Sequence, residues 1–257
     1  MLPILQLGPL AIQTPGLILL LGLWLGLTLV ERFAPRHGLP AERLYNLALT
    51  GLVAGLLGAR LAYALRYFSA FAANPLSLFS LNPGLLDVPG GIGLGLIAAW
   101  VYGQRKGLPL WPTLDALTPG LALFAAAVGL SHLASGAAYG APTGLPWGVE
   151  LWGARRHPTQ IYEIVLAALI LWAVWPGRGL RLAARRSARP GARFLAFAAC
   201  SAAARLLLEA FRGDSLLLAG GVRAAQAAAW VILALSLWGL SRLHSAGEAP
   251  PGYAPEE

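Results

Sequence analysis

Seven apolar stretches recur along this 257-residue chain, each about as long as a bilayer's hydrocarbon core is thick. They fall at about 14–31, 47–67, 86–103, 114–135, 160–176, 192–211 and 222–241. A helix needs roughly 20 apolar residues to cross that core, and a segment in lipid must satisfy its own backbone polar groups. The expected fold is therefore all-α: a polytopic membrane protein with seven transmembrane helices, in one transmembrane domain over residues 1–241. Composition agrees, since 12% of the residues are charged where soluble domains carry about 25%. The first span has no basic segment before it and no clear small-residue cleavage site after it, so it is expected to stay in the membrane. Residues 242–257, ending "HSAGEAPPGYAPEE", are polar and Pro-rich and read as a disordered tail. A single cysteine, Cys200, excludes an internal disulfide.

The formal net charge of +8 raises the question of nucleic acid. No nucleic-acid motif and no interleaving of basic and aromatic residues is present, and in membrane proteins such an excess collects in cytoplasmic loops. Arg32, Arg36 and Arg43 follow the first span, and Arg105 with Lys106 the third. Arg178, Arg181, Arg185, Arg186, Arg189 and Arg193 follow the fifth, and Arg242 the last. These are twelve of the nineteen basic residues, all on one side, against Arg155, Arg156 and Arg212 on the other. The N-terminus is then expected outside and the C-terminus in the cytoplasm.

Charges within the spans are more informative. Arg66 and Arg223 lie near span ends, where a long side chain reaches the head groups. Arg60 and Arg205 lie deeper. A cation at bilayer depth costs about 2.5–3.5 kcal/mol on insertion scales, so each should face a partner or a wet cavity. In "RLLLEAFR", Arg205, Glu209 and Arg212 share one helix face. They form either a self-contained ion-pair ladder or an anion site, with two arginines against one carboxylate leaving the face positive. In "GARLAYALRY", Arg60, Tyr63 and Tyr67 share a face, as a capped cation or as part of such a site. Gly51, Gly55 and Gly58, like "GGIGLG" at 90–95, read as positions of close helix packing; no strand precedes the latter, which argues against a dinucleotide loop. No Ser-His-Asp arrangement and no metal-ligand spacing is evident, so no metal and no cofactor is expected.

The head of the fifth span reads "RRHPTQIYE". Pro158 suits the first turn of a helix, and Glu163 suits the positive end of its dipole. Helix-start chemistry leaves His157, Gln160 and Tyr162 together unexplained.

"HPTQIYE" resembles the H-P-S-Q-L-Y-E motif of the prolipoprotein diacylglyceryl transferases, seven-span enzymes of the bacterial inner membrane. Further stretches are similar in the same order. "GPLAIQTPG" (8–16) resembles the family's G-P-x-x-x-x-x-Y-G, and "GARLAY" (58–63) its G-x-R-x-x-Y. "LDALTPGLAL" (114–123) matches D-x-x-x-P at Asp115 and Pro119. "YGAPTGLPWGV" (139–149) resembles Y-G-x-P-T-x-L-P-W-G-V, and "RLLLEAFR" (205–212) R-x-x-x-E-F-F-R. The likeness covers about residues 8–240. The chain departs from the signature G-R-x-G-N-F-x-N-G-E: its arginine falls at Gly129, its asparagines at His132 and Ser135, and its glutamate at Ala137. The family's H-G-G becomes Pro89-Gly90-Gly91, and its N-terminal tyrosine falls at Pro15.

The resemblance implies transfer of the diacylglyceryl group of phosphatidylglycerol to the lipobox cysteine of a prolipoprotein signal peptide, giving a thioether and glycerol phosphate. A thiolate is the nucleophile, so a base must take the thiol proton, and cations must stabilise the departing phosphate. His132 brings a side chain that titrates near neutrality to a position where the family has an amide. The alternative is a neutral histidine bonded to a backbone carbonyl. His132 and Arg212 are thus the expected catalytic residues. Arg60, Tyr63, Arg205, Glu209, His157, Gln160, Tyr162 and Glu163 are the expected substrate-binding set, with His157 either a supporting residue at the helix start or the base in place of His132. Phosphatidylglycerol, the prolipoprotein and the bilayer are the expected partners of a monomer. The lost signature residues leave two alternatives: the same fold with another acceptor, or a lipid- or lipoprotein-binding relative without catalysis.

Overall fold

The computed structural model describes residues 4–7, 10–80, 83–176, 189–218 and 220–245. The chain divides into two compact units, Met1–Phe33 with Leu114–Glu257, and Ala34–Thr113.

In the first unit, strands β1 (Ile4–Leu7) and β2 (Leu10–Gln13) form an antiparallel hairpin that leads into helix α1 (Thr14–Phe33). Helix α5 (Leu110–Ser135) follows α1 within this unit, from Leu114 on. A second hairpin, β3 (Val149–Leu151) and β4 (Ala154–Arg156), precedes α6 (Thr159–Val174), α7 (Ala192–Phe211) and α8 (Ala224–Ser245). Helix α7 packs against both α6 and α8. Small residues bring α1 onto α5: a Cβ at Gly120 would stand 2.6 Å from the Gly26 carbonyl oxygen and 2.8 Å from Val30. Helices in lipid gain little from apolar contact alone, so close backbone approach supplies the packing.

In the second unit, α2 (Ala41–Arg66) packs along α4 (Val88–Arg105), with the short α3 (Phe68–Ala73) between them in sequence. The expected glycine contacts are present. A Cβ at Gly95 would lie 2.7 Å from the Gly51 carbonyl oxygen, and one at Gly91 would lie 2.8 Å from that of Gly55. The "GGIGLG" segment is thus a helix-packing face. Asp87 caps α4, its carboxylate accepting from the Gly90 amide at 2.8 Å.

Among the described residues, five helical segments are long and apolar enough to cross a membrane: Thr14–His37, Ala41–Arg66, Leu110–Ser135, Ala192–Phe211 and Ala224–Leu243. Helix α6 is apolar but shorter, at 16 residues. Their outward faces are leucine, valine and tryptophan, as on Leu56, Leu57, Trp230 and Leu235. A chain with several such helices, apolar on their outward faces, is a multi-pass membrane protein.

Three expectations need correction. Helix α2 begins at Ala41, not near 47, because Pro40 precedes a polar first turn in which Glu42 suits the helix dipole. Helix α8 runs to Ser245, so residues 242–245 belong to it and not to the tail; residues 246–257 lie outside the described residues, as do Arg178, Arg181, Arg185 and Arg186. The two small hairpins were not expected in an all-α chain. The β3–β4 turn is built on Trp152 and Gly153, both at positive φ (54° and 71°), as a two-residue hairpin turn requires.

Candidate active site

A short ribbon places the polar residues of the first unit. Residues 139–143 run between the end of β4 and the end of α7. The Ala141 amide donates to the Phe211 carbonyl at 2.7 Å, the Gly213 amide to Tyr139 at 2.9 Å, and the His157 amide to Ala141 at 3.1 Å. The "YGAPT" segment therefore joins "RRHP" to "FRG", motifs some fifty residues apart in sequence, and ties Arg212 to the head of α6. Only glycine fits at its crossings: a Cβ at Gly213 would lie 2.8 Å from the Gly140 carbonyl oxygen.

Helix α6 starts from Pro158, which is the residue before the first turn and not within it. Glu163 consequently lies in the second turn, beyond the dipole effect expected of it. Its carboxylate is engaged elsewhere: Glu163 Oε2 lies 2.8 Å from His132 Nδ1 on α5, with side-chain exposures of 18% and 29%. A carboxylate only accepts, so Nδ1 carries the proton in this contact, and a neutral His132 then presents an Nε2 lone pair. The carbonyl-bonded histidine weighed from sequence is not what forms. The imidazole is held by a carboxylate instead.

The α7 ladder also forms, with an addition. Glu209 is fully buried. Its Oε1 lies 2.7 Å from Arg205 Nη2 and 3.7 Å from Arg212 Nε, and its Oε2 accepts a short hydrogen bond from the Ser215 hydroxyl. The Arg205 contact is an ion pair without hydrogen-bond alignment. Arg212 instead makes a two-pronged pair with Asp214, Nε to Oδ1 at 2.9 Å and Nη2 to Oδ2 at 3.0 Å. The second carboxylate balances the two guanidiniums, so the expected net positive face is neutral. Arg212 is 13% exposed and holds a carboxylate in its fork; Arg205 is 35% exposed and keeps donors for another anion. Arg205 also borders a cavity of about 120 Å³ between α5, α6 and α7, with Glu163, Ser201, Phe197 and Leu208 on its wall. One largely apolar space is thus lined both by a cation and by the carboxylate that holds His132.

The remaining expected residues do other work. Gln160, 1% exposed, donates from Nε2 to the Ala137 carbonyl at 2.9 Å, and Thr159 Oγ1 donates to Ala138 at 2.6 Å. They fasten the head of α6 to the segment that follows α5. The Tyr162 hydroxyl accepts from Trp147 Nε1 at 2.9 Å. The His157 ring lies against Phe211 and Tyr162, centroids 5.1 and 6.4 Å away, as a packing residue. In the second unit, Arg60 Nε donates to the Leu78 carbonyl at 2.9 Å, Nη1 to Leu85 at 2.9 Å, and Nη2 to Ser77 and Ser80 at 2.6 and 2.7 Å. Tyr63 stacks against Tyr67 and Phe71. Arg60 is thus a clamp on backbone carbonyls rather than an open anion ligand, and Tyr63 packs beside it.

Sequence reasoning missed Asp214, Ser215 and the role of Asp115. Asp214 was detectable by counting charges one turn past the helix end. The buried Asp115 accepts from the Gly191 and Phe194 amides at 2.6 and 2.8 Å, capping α7 from α5. Its match to a family pattern pointed to the residue without giving this partner.

Comparison with known proteins identifies the family. Residues 3–242 match the family described as "Prolipoprotein diacylglyceryl transferase". The chain is 32% identical to the phosphatidylglycerol–prolipoprotein diacylglyceryl transferase of Gloeobacter violaceus, over 96% of this chain and 95% of that protein. It is 27% identical to the protein of that name from Nostoc (97% and 92% covered) and 29% identical to that from Shouchella clausii (96% and 91% covered). A membrane-helical chain that matches the family profile from residue 3 to residue 242 belongs to the prolipoprotein diacylglyceryl transferase family.

Proposed function

We propose that this protein transfers the diacylglyceryl group of phosphatidylglycerol to the cysteine thiol of a prolipoprotein signal peptide, using a centre rebuilt around His132. The observation that carries this reading is the His132–Glu163 pair beside a cavity that Arg205 borders. His132 Nε2 takes the thiol proton. The thiolate attacks the glyceryl carbon bonded to phosphate, a C–S bond forms as that C–O bond breaks, and the electron pair leaves with glycerol phosphate. Arg205 binds the phosphate and stabilises its added charge, and Arg212 joins once its fork opens. Gln160, Tyr162 and His157 hold the head of α6 in place, while Arg60 and Tyr63 support the second unit.

The same reading places the chain in the bacterial inner membrane as a monomer with seven spans, α4 and α6 included, the N-terminus outside and the C-terminus in the cytoplasm. The orientation rests on the one-sided distribution of Arg and Lys. Helix α6 would cover about 24 Å at 1.5 Å per residue, with the ribbon at its head completing the depth.

One observation favours a relative without this chemistry. Gly129 stands where the family signature has arginine, and a Cβ there would already lie 3.0 Å from Ile164 and 3.4 Å from Glu163. Helix α6 thus lies close against this position, and the sequence supplies no cation there. Complementation of a bacterium depleted of its own transferase separates the two readings. Rescue by the wild type and loss with His132→Ala and Arg205→Ala establish the rebuilt centre. No rescue by a well-inserted wild-type protein establishes the second reading.

A further inference from the structure

The connection between α2 and α4 poses a problem that the transfer reaction does not address. From Tyr67 to Leu86 the chain has no Asp, Glu, Lys or Arg. It is not one continuous helix: α3 ends at Ala73, and a 3-10 turn covers Pro75–Phe79. Its large apolar side chains point outward, Phe68 at 69%, Leu76 at 78% and Phe79 at 82% exposure. Phe71 turns inward, at 8%, onto Tyr63, and Leu78, Leu85 and Leu86 are half-buried. A water-facing loop would carry charges and bury such residues.

Non-helical backbone is tolerated at membrane depth only when its polar groups are satisfied by protein. Here they are. The Ala70, Phe71, Asn74, Ser77 and Ser80 amides donate to carbonyls within the segment, at 3.1 to 3.3 Å. The Ser77 hydroxyl donates to Asn74 at 2.6 Å. The carbonyls of Leu78, Ser80 and Leu85, with that of Ser77, which also accepts from the Ser80 amide, converge on the Arg60 guanidinium. Charge appears only at the two ends, where Arg66 and Asp87 face each other at 3.6 Å. The outward face is continuous in sequence with the apolar face of α2, through Leu61 and Leu65.

We propose that residues 68–80 form an arm that lies in the interfacial layer of the bilayer, immersing Phe68, Leu76 and Phe79 among lipids, with Arg60 as the hub that makes its backbone dry enough to do so. The occupant of this face is lipid rather than protein: the face adjoins that of a helix apolar enough to span, lacks charge, and is aromatic and aliphatic as interfacial segments are. A guanidinium suits the role because its planar donors reach four carbonyls at once, whereas an ammonium has three. The inference is independent of the catalytic reading, since it concerns the second unit alone.

The test is site-directed spin labelling of the full chain in vesicles of phosphatidylcholine and phosphatidylglycerol. Cys200, the only cysteine, is first replaced by serine. Labels at Leu76→Cys and Phe79→Cys are compared with one at Lys106→Cys, an exposed loop position. The expected result is collision with oxygen exceeding collision with an aqueous nickel complex at 76 and 79, and the reverse at 106. Nickel accessibility at 76 and 79 equal to that at 106 overturns the proposal. So does spectral broadening at 79 that disappears on dilution with unlabelled protein, which would place a second copy on this face. Arg60→Lys should move the label at 79 toward the aqueous value while the protein remains inserted; an unchanged depth profile in that variant overturns the hub.

Discussion

His132 Nδ1 on α5 and Glu163 Oε2 on α6 meet at 2.8 Å, a contact that fixes which imidazole nitrogen is left to accept a proton. If Nε2 is the base, His132→Ala lowers kcat by about 10²–10⁴, the range of a positioned proton acceptor, while lipid binding persists. Glu163→Gln causes a smaller loss, because the amide still accepts from Nδ1–H but no longer stabilises an imidazolium. Turnover with purified protein, phosphatidylglycerol and a lipobox peptide separates kcat from KM. A fall confined to KM in either variant would assign the pair to binding instead.

Asp214 acts on Arg212 as an internal anion. Its two-pronged contact occupies the donors that a phosphate would use, so a lipid head group must displace it. Asp214→Asn removes the charge and nearly keeps the shape. Partly exposed pairs of this kind contribute up to about 1 kcal/mol, or roughly fivefold in affinity. The variant is expected to bind phosphatidylglycerol vesicles more tightly than the wild type, by an amount that shrinks as salt rises. Equal affinity would show that the fork stays closed in the complex.

The spans were legible because lipid imposes both length and composition on a helix. The hairpins were not: β3 and β4 are three residues each, too short for an alternating pattern to register. The site was half legible. Arg205, Glu209 and Arg212 share a helix face, so their spacing announces them. The His132–Glu163 contact joins residues 31 apart on two helices, which no local pattern encodes. Arg60 misled for a related reason: its partners are backbone carbonyls, which look alike in every sequence. Gln160 was named as a polar residue out of place, and its partner is likewise a carbonyl, that of Ala137.

That contact carries a stability prediction. Gln160 is almost fully buried, and its loss leaves the Ala137 carbonyl without this donor. Gln160→Ala and the similarly sized Gln160→Met should both lower stability, by about 1–3 kcal/mol from the unmet carbonyl, and the alanine variant further from its cavity. Thermal unfolding in detergent reads this directly. Equal stability of Gln160→Met and the wild type would mean that shape alone, and not the hydrogen bond, holds the head of α6.

Helix α7 carries Arg205 and Glu209, and its first turn has no cap of its own: the preceding residue is Gly191, at φ 94°. Asp115 supplies the cap from another helix, across 76 residues of sequence. Two amides share one buried carboxylate, so both lose their acceptor in Asp115→Ala, at a cost of about 0.5–2 kcal/mol for the cap alone. Asp115→Asn keeps one oxygen and should fall between. Because the cap also fixes α7 against α5, either substitution should loosen the cavity wall that Arg205 borders, raising KM for phosphatidylglycerol before kcat changes. Hydrogen exchange at the Gly191 and Phe194 amides reports the cap itself. Exchange unaltered in Asp115→Ala would show that α7 holds its first turn by packing on α6 and α8, without the carboxylate.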